Sequence, residues 1–328
     1  MRIGLDSGPR VITKVPRMND VILDPKKLIF SGTAQSLGRV IFVTPENSAL
    51  AHLAYGRVRL DGSAPKVAFE TGNRETALLC MKGACRVSVG GTPYELDTYD
   101  AIYVPRGSSV EVSTNSEVDL VECSADVEGD YPLQLVRYSQ VKEDAALKFT
   151  AGGAATTRDL NIIIGKNVEA GRILCGFTRS QPGNWTSWPP HEHTKLLEEV
   201  YVYFDMPAPA FGIQLVYTKP DQPEFVSLVR DGDAVLMPAG YHPNVAAPGH
   251  SINFIWMMAA HREVEDRQFG VVNVQPGFDQ AGSGLEASKK LACLSIGSIS
   301  KARWRWSPAR ARASAQPSPK GSREPALT

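Results

Sequence analysis

The chain has 328 residues, of which 43% are hydrophobic and 21% charged, a composition typical of soluble globular proteins. This composition excludes a collagen-like or fully disordered chain. The five cysteines contain no CxxC pair, which predicts buried thiols in a reducing, cytoplasmic environment. Because no apolar run reaches about 18 residues and the first residues lack the apolar core of a signal peptide, we expect neither a membrane span nor a membrane partner.

The charges are unevenly distributed, although the 35 basic and 35 acidic residues give a formal net charge of zero. Residues 281–328 hold nine Lys or Arg and two Glu, which leaves 26 basic and 33 acidic residues in 1–280, a net charge of −7. An acidic body argues against a surface that binds nucleic acid. We therefore expect no nucleic-acid partner.

Short apolar runs separated by Gly, Pro, Asn and Asp recur along the chain and predict an all-β fold. Examples are TALLCM (76–81), AIYVP (101–105), VDLVEC (118–123), EVYVYF (199–204), AVLMP (234–238) and INFIWMM (252–258). Many short strands at close spacing are typical of a sandwich or a barrel. No stretch shows an amphipathic helical pattern of three turns or more.

An internal repeat indicates two copies of one β unit. The segment DAIYVPRG (100–107) matches DAVLMPAG (233–240) at an offset of 133 residues, and an apolar strand follows each copy. Two units of about 120–130 residues suit two tandem jelly-roll barrels, unless the match is coincidence. We predict an N-terminal domain at 1–150 and a C-terminal domain at 151–276. The segment 277–328, basic and rich in Ser, Ala and Pro, is predicted to be a disordered tail.

Histidines cluster in the second half of the chain in a pattern that suits a metal. His191 and His193 alternate in an extended segment and therefore point to the same face. His242 follows the repeated strand, and two glutamates, Glu198 and Glu199, lie between. Imidazole and carboxylate ligands suit one divalent ion per chain, with Zn as first choice and Mn, Fe, Co or Ni as alternatives. The competing interpretation is a set of surface histidines after a proline turn.

Strand alternation favours one of the two glutamates as the ligand. Val200 and Val202 are expected to face one layer, which leaves Glu199 and Tyr201 on the other and favours Glu199 over Glu198. The first half has a single histidine, His52, and no counterpart of the HxH pair. We therefore predict a metal-free N-terminal domain.

The motifs around these histidines resemble those of the cupins. More specifically, PGNWTSWPPHEH (182–193), MPAGYHP (237–243) and NRET (73–76) resemble 5-deoxy-glucuronate isomerases, which share a bicupin family with the 5-keto-4-deoxyuronate isomerases. The similarity runs over about residues 35–265. It implies a bicupin fold and a metal site on His191, His193, Glu199 and His242. The loop between His193 and Glu199 is shorter than expected of a 5-deoxy-glucuronate isomerase.

Residues for catalysis and substrate binding are less determined. A uronate carries a carboxylate, and Arg158, which resembles an arginine of the family, could bind it with two parallel hydrogen bonds or form a surface salt bridge. Isomerisation also needs a group that moves a proton between neighbouring carbons. Glu198, Lys195, Tyr201 and a metal-bound water all stay open as that group.

The resemblance implies a metal-dependent aldose–ketose isomerase. Its reaction would convert 5-deoxy-glucuronate into 2-deoxy-5-keto-gluconate in inositol breakdown, with a small sugar acid as the binding partner, and we expect a homo-oligomer. Three alternatives remain: a 5-keto-4-deoxyuronate isomerase, a cupin dioxygenase using Fe(II) or Cu, and a sugar-binding bicupin without activity.

Overall fold

A computed structural model describes residues 23–278, so the predicted tail lies outside the described residues except for its first two positions. The described residues form a 3-10 helix at Pro25–Lys27, a short helix α1 at Tyr138–Val141, and 23 strands. No helix among them is long and apolar enough to cross a bilayer. The all-β prediction is therefore confirmed.

The strands of the first half are β1 (Ile29–Phe30), β2 (Gly38–Val43), β3 (Leu53–Leu60), β4 (Lys66–Glu70), β5 (Arg74–Gly83), β6 (Cys85–Val89), β7 (Thr92–Leu96), β8 (Ala101–Val104), β9 (Ser109–Ser113), β10 (Val118–Asp126) and β11 (Gln134–Val136). Those of the second half are β12 (Lys148–Ala151), β13 (Arg158–Ile164), β14 (Ile173–Ser180), β15 (Trp185–Thr186), β16 (His191–Glu192), β17 (Leu197–Tyr203), β18 (Gly212–Val216), β19 (Phe225–Val229), β20 (Ala234–Met237), β21 (Asn244–Ala246), β22 (Asn253–Ala260) and β23 (Asn273–Val274).

Each half is built from one large and one small antiparallel sheet. In the first half the orders are β11-β8-β5-β10-β3-β2 and β4-β9-β6-β7. In the second half they are β1-β20-β17-β22-β14-β13-β12 and β15-β21-β18-β19. The interior of the first half is filled by aliphatic side chains such as Val58, Leu78, Val87 and Ile102. These come from alternate positions of the strands, as expected of sheets with one face on a core.

The two halves share one topology, which agrees with the internal repeat. The run β8-β5-β10-β3-β2 corresponds to β20-β17-β22-β14-β13, and the two small sheets match strand for strand. The repeated sequence segments form β8 and β20, which occupy equivalent places. The chain is therefore a bicupin-type pair of barrels.

Two strands from before or across residue 150 belong to the sheet of the second barrel. Strand β1, at the start of the described chain, pairs with β20 of the second barrel. Strand β12, which spans Lys148–Ala151, pairs with β13 of the second barrel. The second barrel thus takes an edge strand from before the first barrel.

The two large sheets pack against each other through a common apolar layer. One buried cluster contains Leu53, Leu79 and Val121 from the first barrel together with Val200 and Val202 from the second. Strand β17 is central in its sheet, between β20 and β22, and is buried along its length. One face of β17 therefore meets the first barrel and the other faces the interior of the second.

Candidate metal centre and pocket

Three of the four residues predicted as ligands meet inside the second barrel. Strand β17 carries Glu199, the loop before it carries His193, and His242 follows β20. One ligand atom from each of these residues lies within 4.8 Å of the other two, and all three side chains are buried. Glu199 pairs with Met237 on β20 and Met258 on β22, so the two neighbouring strands hold it in place.

Backbone carbonyls orient the imidazoles. Nδ1 of His193 lies 3.0 Å from the carbonyl oxygen of Leu197, and Nδ1 of His242 lies 2.9 Å from the carbonyl oxygen of Gly240. In His191 it lies 2.9 Å from the carbonyl of Pro189. A ring nitrogen that faces a carbonyl carries the proton, which leaves Nε2 as the nitrogen with a free lone pair. This is the arrangement in which a protein presents histidine to a metal.

The polar atoms at the centre of the cluster are incompletely paired by the protein. Glu199 Oε2 lies 3.0 Å from Nε2 of His193 and 3.2 Å from Nε2 of His242. If Nδ1 of each ring carries the proton, two lone pairs face a carboxylate. Among the described residues, His242 Nε2 and Glu199 Oε1 are two of three buried side-chain polar atoms without a hydrogen-bond partner. A cation between these atoms would satisfy all of them, so the donor set fits a divalent metal.

The charges in the cluster respond to this arrangement. Burial opposes ionisation of Glu199, but the imidazoles of His193 and His242 that face its carboxylate outweigh it and lower the Glu199 pKa to about 2. Burial also opposes protonation of His193, but the facing carboxylate of Glu199 outweighs it and raises the His193 pKa. The site therefore contains a carboxylate that stays ionised at neutral pH.

His191 lies at the edge of the cluster rather than in its centre. Its ring centroid is 4.9 Å from that of His242 and 6.4 Å from that of His193. Burial, followed by the nearby His242, lowers the pKa of His191 to about 3, so its imidazole is neutral and able to act as a ligand. The geometry makes His191 a candidate fourth ligand that borders the pocket.

The cluster opens into a pocket whose empty space, including its open mouth, is about 580 Å³. Its walls are mostly apolar, with a few polar side chains near the histidines. The apolar lining comes from Leu160, Leu197, Phe254, Trp256, Met258, Phe269, Val271 and Val272, and the polar lining includes Arg158, Thr178, Ser187 and Tyr201.

Tyr201 is the one catalytic candidate from the sequence that lines this pocket. Its hydroxyl is 2.7 Å from Ser187 Oγ, and its ring lies edge-on to that of His242 at 5.8 Å. Burial, reinforced by the charge of Glu199, raises the Tyr201 pKa well above its usual value. The phenol is therefore protonated at neutral pH and can donate a hydrogen bond.

Glu198 and Lys195 do not reach the pocket. Glu198 points to the opposite side of β17, where its carboxylate accepts hydrogen bonds from three backbone N–H groups of the first barrel. Lys195 is exposed to solvent in the loop before β17. The structure thus assigns neither residue to proton transfer, because consecutive strand residues face opposite ways and the loop lysine points outward.

Arg158 is a buried residue of the pocket wall rather than a surface residue. Its Nη1 donates to the carbonyl of Thr156 at 3.0 Å and its Nη2 to that of Trp188 at 2.9 Å. Burial lowers its pKa to about 10, which still leaves the guanidinium charged at neutral pH. Arg158 thus brings a positive charge to the pocket.

Two parts of the pocket were not predicted from the sequence. Residues 269–272, here called the closing segment, cover the pocket after the last barrel strand, and Phe269 stacks on Trp256 with ring centroids 5.0 Å apart. Ser187 has a φ of 49°, a left-handed conformation that few non-glycine residues adopt. The run WTSWPP around Ser187 is a sequence signal that could have pointed to Ser187. The closing segment has no such signal, because it joins the pocket only when the chain folds back over the second barrel.

The first barrel has no equivalent centre in its described residues. Thr76 pairs with Val104 and Ser124 on the neighbouring strands, as Glu199 pairs with Met237 and Met258. A threonine thus occupies the place of the carboxylate. No group of His, Cys, Asp and Glu able to hold a metal is found in the described part of this barrel.

The fold and site together define a cupin-type protein of two barrels, in which the second barrel holds a buried His/Glu centre. The KduI/IolB family model matches residues 28–272, and the chain belongs to this family. Curated relatives are 5-deoxy-glucuronate isomerases. That of Geobacillus kaustophilus is 28% identical over 71% of this chain and 88% of its own length. That of Bacillus subtilis is 24% identical over 66% of this chain and 84% of its own. The family and these relatives identify the chain as an isomerase.

Solved structures show the same fold. An IolB-like protein from Salmonella typhimurium LT2 superposes with a TM-score of 0.68 at 21% identity, covering 77% of this chain and 98% of that one. The Bacillus subtilis oxalate decarboxylase, studied for its Mn(II) centres, superposes with a TM-score of 0.54 at 12% identity, covering 74% and 79%. At these identities the likeness concerns the fold alone.

Proposed function

We propose that the chain is a metal-dependent aldose–ketose isomerase that acts on a deoxy-uronate, with 5-deoxy-glucuronate as the substrate and 2-deoxy-5-keto-gluconate as the product. The observation that carries the proposal is the cluster of His193, Glu199 and His242, whose unpaired buried atoms border a pocket that also contains Arg158. The names of the curated relatives support this choice of sugar.

The metal would be held by His193, Glu199 and His242, with His191 as the fourth ligand. Zn is the first choice, and Mn, Fe, Co and Ni suit the same ligands. When bound, a divalent ion supplies Lewis acidity toward neighbouring carbonyl and hydroxyl oxygens. The remaining chemistry belongs to the side chains that line the pocket.

Arg158 provides the attraction for an anionic sugar. Its charge lies in a mostly apolar wall, where a carboxylate gains more from a guanidinium than it would in water. The apolar walls also suit the methylene group of a deoxy sugar, which needs no hydrogen-bond partner. Both features support a deoxy-uronate as the class of substrate.

Tyr201 and Ser187 provide a hydroxyl pair for proton transfer between oxygens. Isomerisation moves one proton from a hydroxyl-bearing carbon to the neighbouring carbonyl carbon, and one proton from the hydroxyl oxygen to the carbonyl oxygen, with no net oxidation. Because the Tyr201 phenol is protonated and hydrogen-bonded to Ser187, it can donate to the oxygen that gains charge, while Ser187 relays a proton. The apolar lining limits exchange of these protons with water.

The test combines metal analysis with an isomerase assay on 5-deoxy-glucuronate and on 5-keto-4-deoxyuronate. We expect about one divalent ion per chain and turnover of the first sugar. Turnover of the second sugar alone would establish the alternative isomerase. Oxygen consumption with catechols or flavonols would indicate a dioxygenase, and sugar binding without turnover would indicate a binding protein.

Single substitutions connect the metal to the activity. His193→Ala, His242→Ala and Glu199→Gln should lose both the ion and the activity while keeping the far-UV circular dichroism spectrum of the wild type. His250→Ala is the matched control, because His250 lies beside a separate cavity. Full metal content in the three site variants would contradict the proposal.

A further inference from the structure

A buried carboxylate joins the metal-bearing strand to the other barrel. Glu198, next to Glu199 on β17, accepts hydrogen bonds from the backbone N–H groups of Ala51 at 2.7 Å, His52 at 2.7 Å and Leu53 at 2.6 Å. Those three residues lead into β3 of the first barrel. Charge-assisted bonds of this kind are about twice as strong as neutral ones, so Glu198 fixes β17 against the N-terminal barrel.

The first barrel makes the same connection in the opposite direction. Glu75 on β5 accepts from the backbone N–H groups of Gly171 at 2.7 Å, Arg172 at 2.6 Å and Ile173 at 2.8 Å. It also accepts from the hydroxyl of Tyr103 at 2.6 Å. Each barrel therefore uses one buried glutamate to bind the backbone that leads into a strand of the other.

The two connections occupy equivalent positions in the duplicated fold. In the first barrel Ala125 pairs with both Glu75 and Leu53, and in the second Ala259 pairs with both Glu198 and Ile173. The backbone bound by one glutamate is thus equivalent to the backbone bound by the other. We call the pair of connections the carboxylate clasp.

Only the Glu198 half of the clasp is adjacent to the proposed metal ligands. Successive strand residues point to opposite faces, so holding Glu198 on one side of β17 sets the direction of Glu199 on the other. We infer that Glu198 is a positioning residue through which the metal-free N-terminal barrel orients the Glu199 ligand. This inference rests on the proposed function, since it requires the cluster to bind a metal.

The internal symmetry supplies a matched pair of variants. Glu198→Gln and Glu75→Gln each replace an oxygen acceptor with an amide NH₂ that faces a backbone N–H, and both should lower the thermal midpoint of the metal-free protein. Residues that orient metal ligands typically change metal affinity by about 10–100-fold when mutated. We expect a loss of this size in Glu198→Gln alone, measured by competition with a fluorescent Zn²⁺ chelator, while Glu75→Gln keeps the wild-type affinity. Glu198→Asp keeps the charge and should recover part of the affinity.

The outcomes separate this inference from the proposed function. Equal Zn²⁺ affinity in Glu198→Gln, Glu75→Gln and the wild type would overturn the positioning role while leaving the metal site intact. An equal loss of Zn²⁺ affinity in Glu198→Gln and Glu75→Gln would show a general effect of the contact between the barrels. It would also overturn the positioning role of Glu198. A wild type that binds no divalent ion would instead refute the proposed function. If Glu198→Gln does not fold, the comparison of Glu198→Asp with Glu75→Asp decides the matter.

Discussion

At the scale of single residues, the site depends on groups that are oriented by the backbone. The carbonyls of Pro189, Leu197 and Gly240 face Nδ1 of three imidazoles and leave Nε2 for the cluster. The backbone also orients Arg158, because its guanidinium donates hydrogen bonds to the carbonyls of Thr156 and Trp188. Such fixed side chains lose little conformational entropy when a ligand binds.

Arg158→Ala should lower kcat/KM for the deoxy-uronate. A hydrogen bond to a charged group contributes roughly 1.5–3 kcal/mol, and each ~1.4 kcal/mol is a factor of ten, so we expect a loss of about ten- to a hundredfold. Arg158→Lys should recover only part of this, because lysine lacks the planar fork. Steady-state kinetics and metal analysis on the same preparations check the prediction.

The control is Arg179→Ala, since Arg179 lies on the neighbouring strand, outside the pocket, and pairs with Asp205. Metal content should remain at the wild-type level in all three variants. Unchanged kinetics in Arg158→Ala would remove Arg158 from substrate binding.

At the scale of elements, the segment after the second barrel completes the pocket. It is anchored before the closing segment by Arg267, which donates to the carbonyls of Gly165, Val168 and Ile173. It is anchored afterwards by β23, which pairs with β16 and thus with His191. The closing segment lies between these two anchors and forms one wall of the site.

Two shortened chains test this arrangement. A chain that ends after Phe278 should keep the isomerase activity, because the pocket and both anchors remain. A chain that ends after Gln268 keeps Arg267 but loses the closing segment, and we expect its kcat/KM to fall by about tenfold or more as water enters the apolar pocket. Activity assays and thermal midpoints of both chains provide the measurement. Equal activity in the two would show that the closing segment is dispensable.

The small sheets of the two barrels differ in their outer faces. In the second barrel this face is aliphatic and aromatic, with Val226 59% and Leu228 45% exposed. The edge strand of that sheet, β19, contains neither charge nor proline, whereas the equivalent β7 contains Pro93 and Glu95. Charges and prolines on an edge strand protect it from pairing with another chain. The difference is clear in one row of cross-strand partners on the outer face of each small sheet. In the second barrel this row is Trp185, Val245, Ile213 and Leu228, and in the first it is Lys66, Ser113, Arg86 and Glu95.

The expected homo-oligomer remains a prediction, and this apolar face is the surface proposed for a second copy of the chain. Two such sheets can pack face to face as in a sandwich. The double variant Val226→Glu, Leu228→Glu should therefore have the mass of one chain by light scattering, while the wild type has a multiple of it. Ser88→Glu with Ser113→Glu, on the equivalent sheet of the first barrel, is the control. A monomeric wild type would contradict the expectation.

At the scale of the whole molecule, the barrels are joined by polar as well as apolar contacts. The imidazole of His52 lies 5.8 Å from that of His261 between ring centroids, near Arg172 and Glu263. Burial, followed by the charges of Arg172 and His261, lowers the His52 pKa to about 4. The unfolded chain has an ordinary histidine pKa of about 6.5.

Folding should therefore become less stable as the pH falls from about 6.5 toward 4. In this window the unfolded chain binds a proton that the folded protein does not. The free energy of unfolding therefore increases as the pH rises and decreases as the pH falls. His52→Gln should lose less stability than the wild type between pH 7 and pH 5, because it removes this difference. Urea unfolding of both proteins in the presence of a chelator is the measurement, and parallel losses would contradict the role of His52.

The sequence by itself determined the features that depend on local pattern. Strand alternation and turn residues predicted the all-β fold, the repeat at 100–107 and 233–240 predicted equivalent strands, and the spacing around His193 predicted a cluster with Glu199. These features follow from the period of two in a strand and from identical residues in duplicated places. Tertiary structure decided what depends on distant segments. Only the packing of the barrels reveals that Glu198 binds the backbone at 51–53, and only the return of the chain after residue 266 brings the closing segment over the pocket. No local pattern encodes such contacts, because they join distant parts of the chain; Glu198, for example, binds backbone N–H groups that lie 145 to 147 positions away.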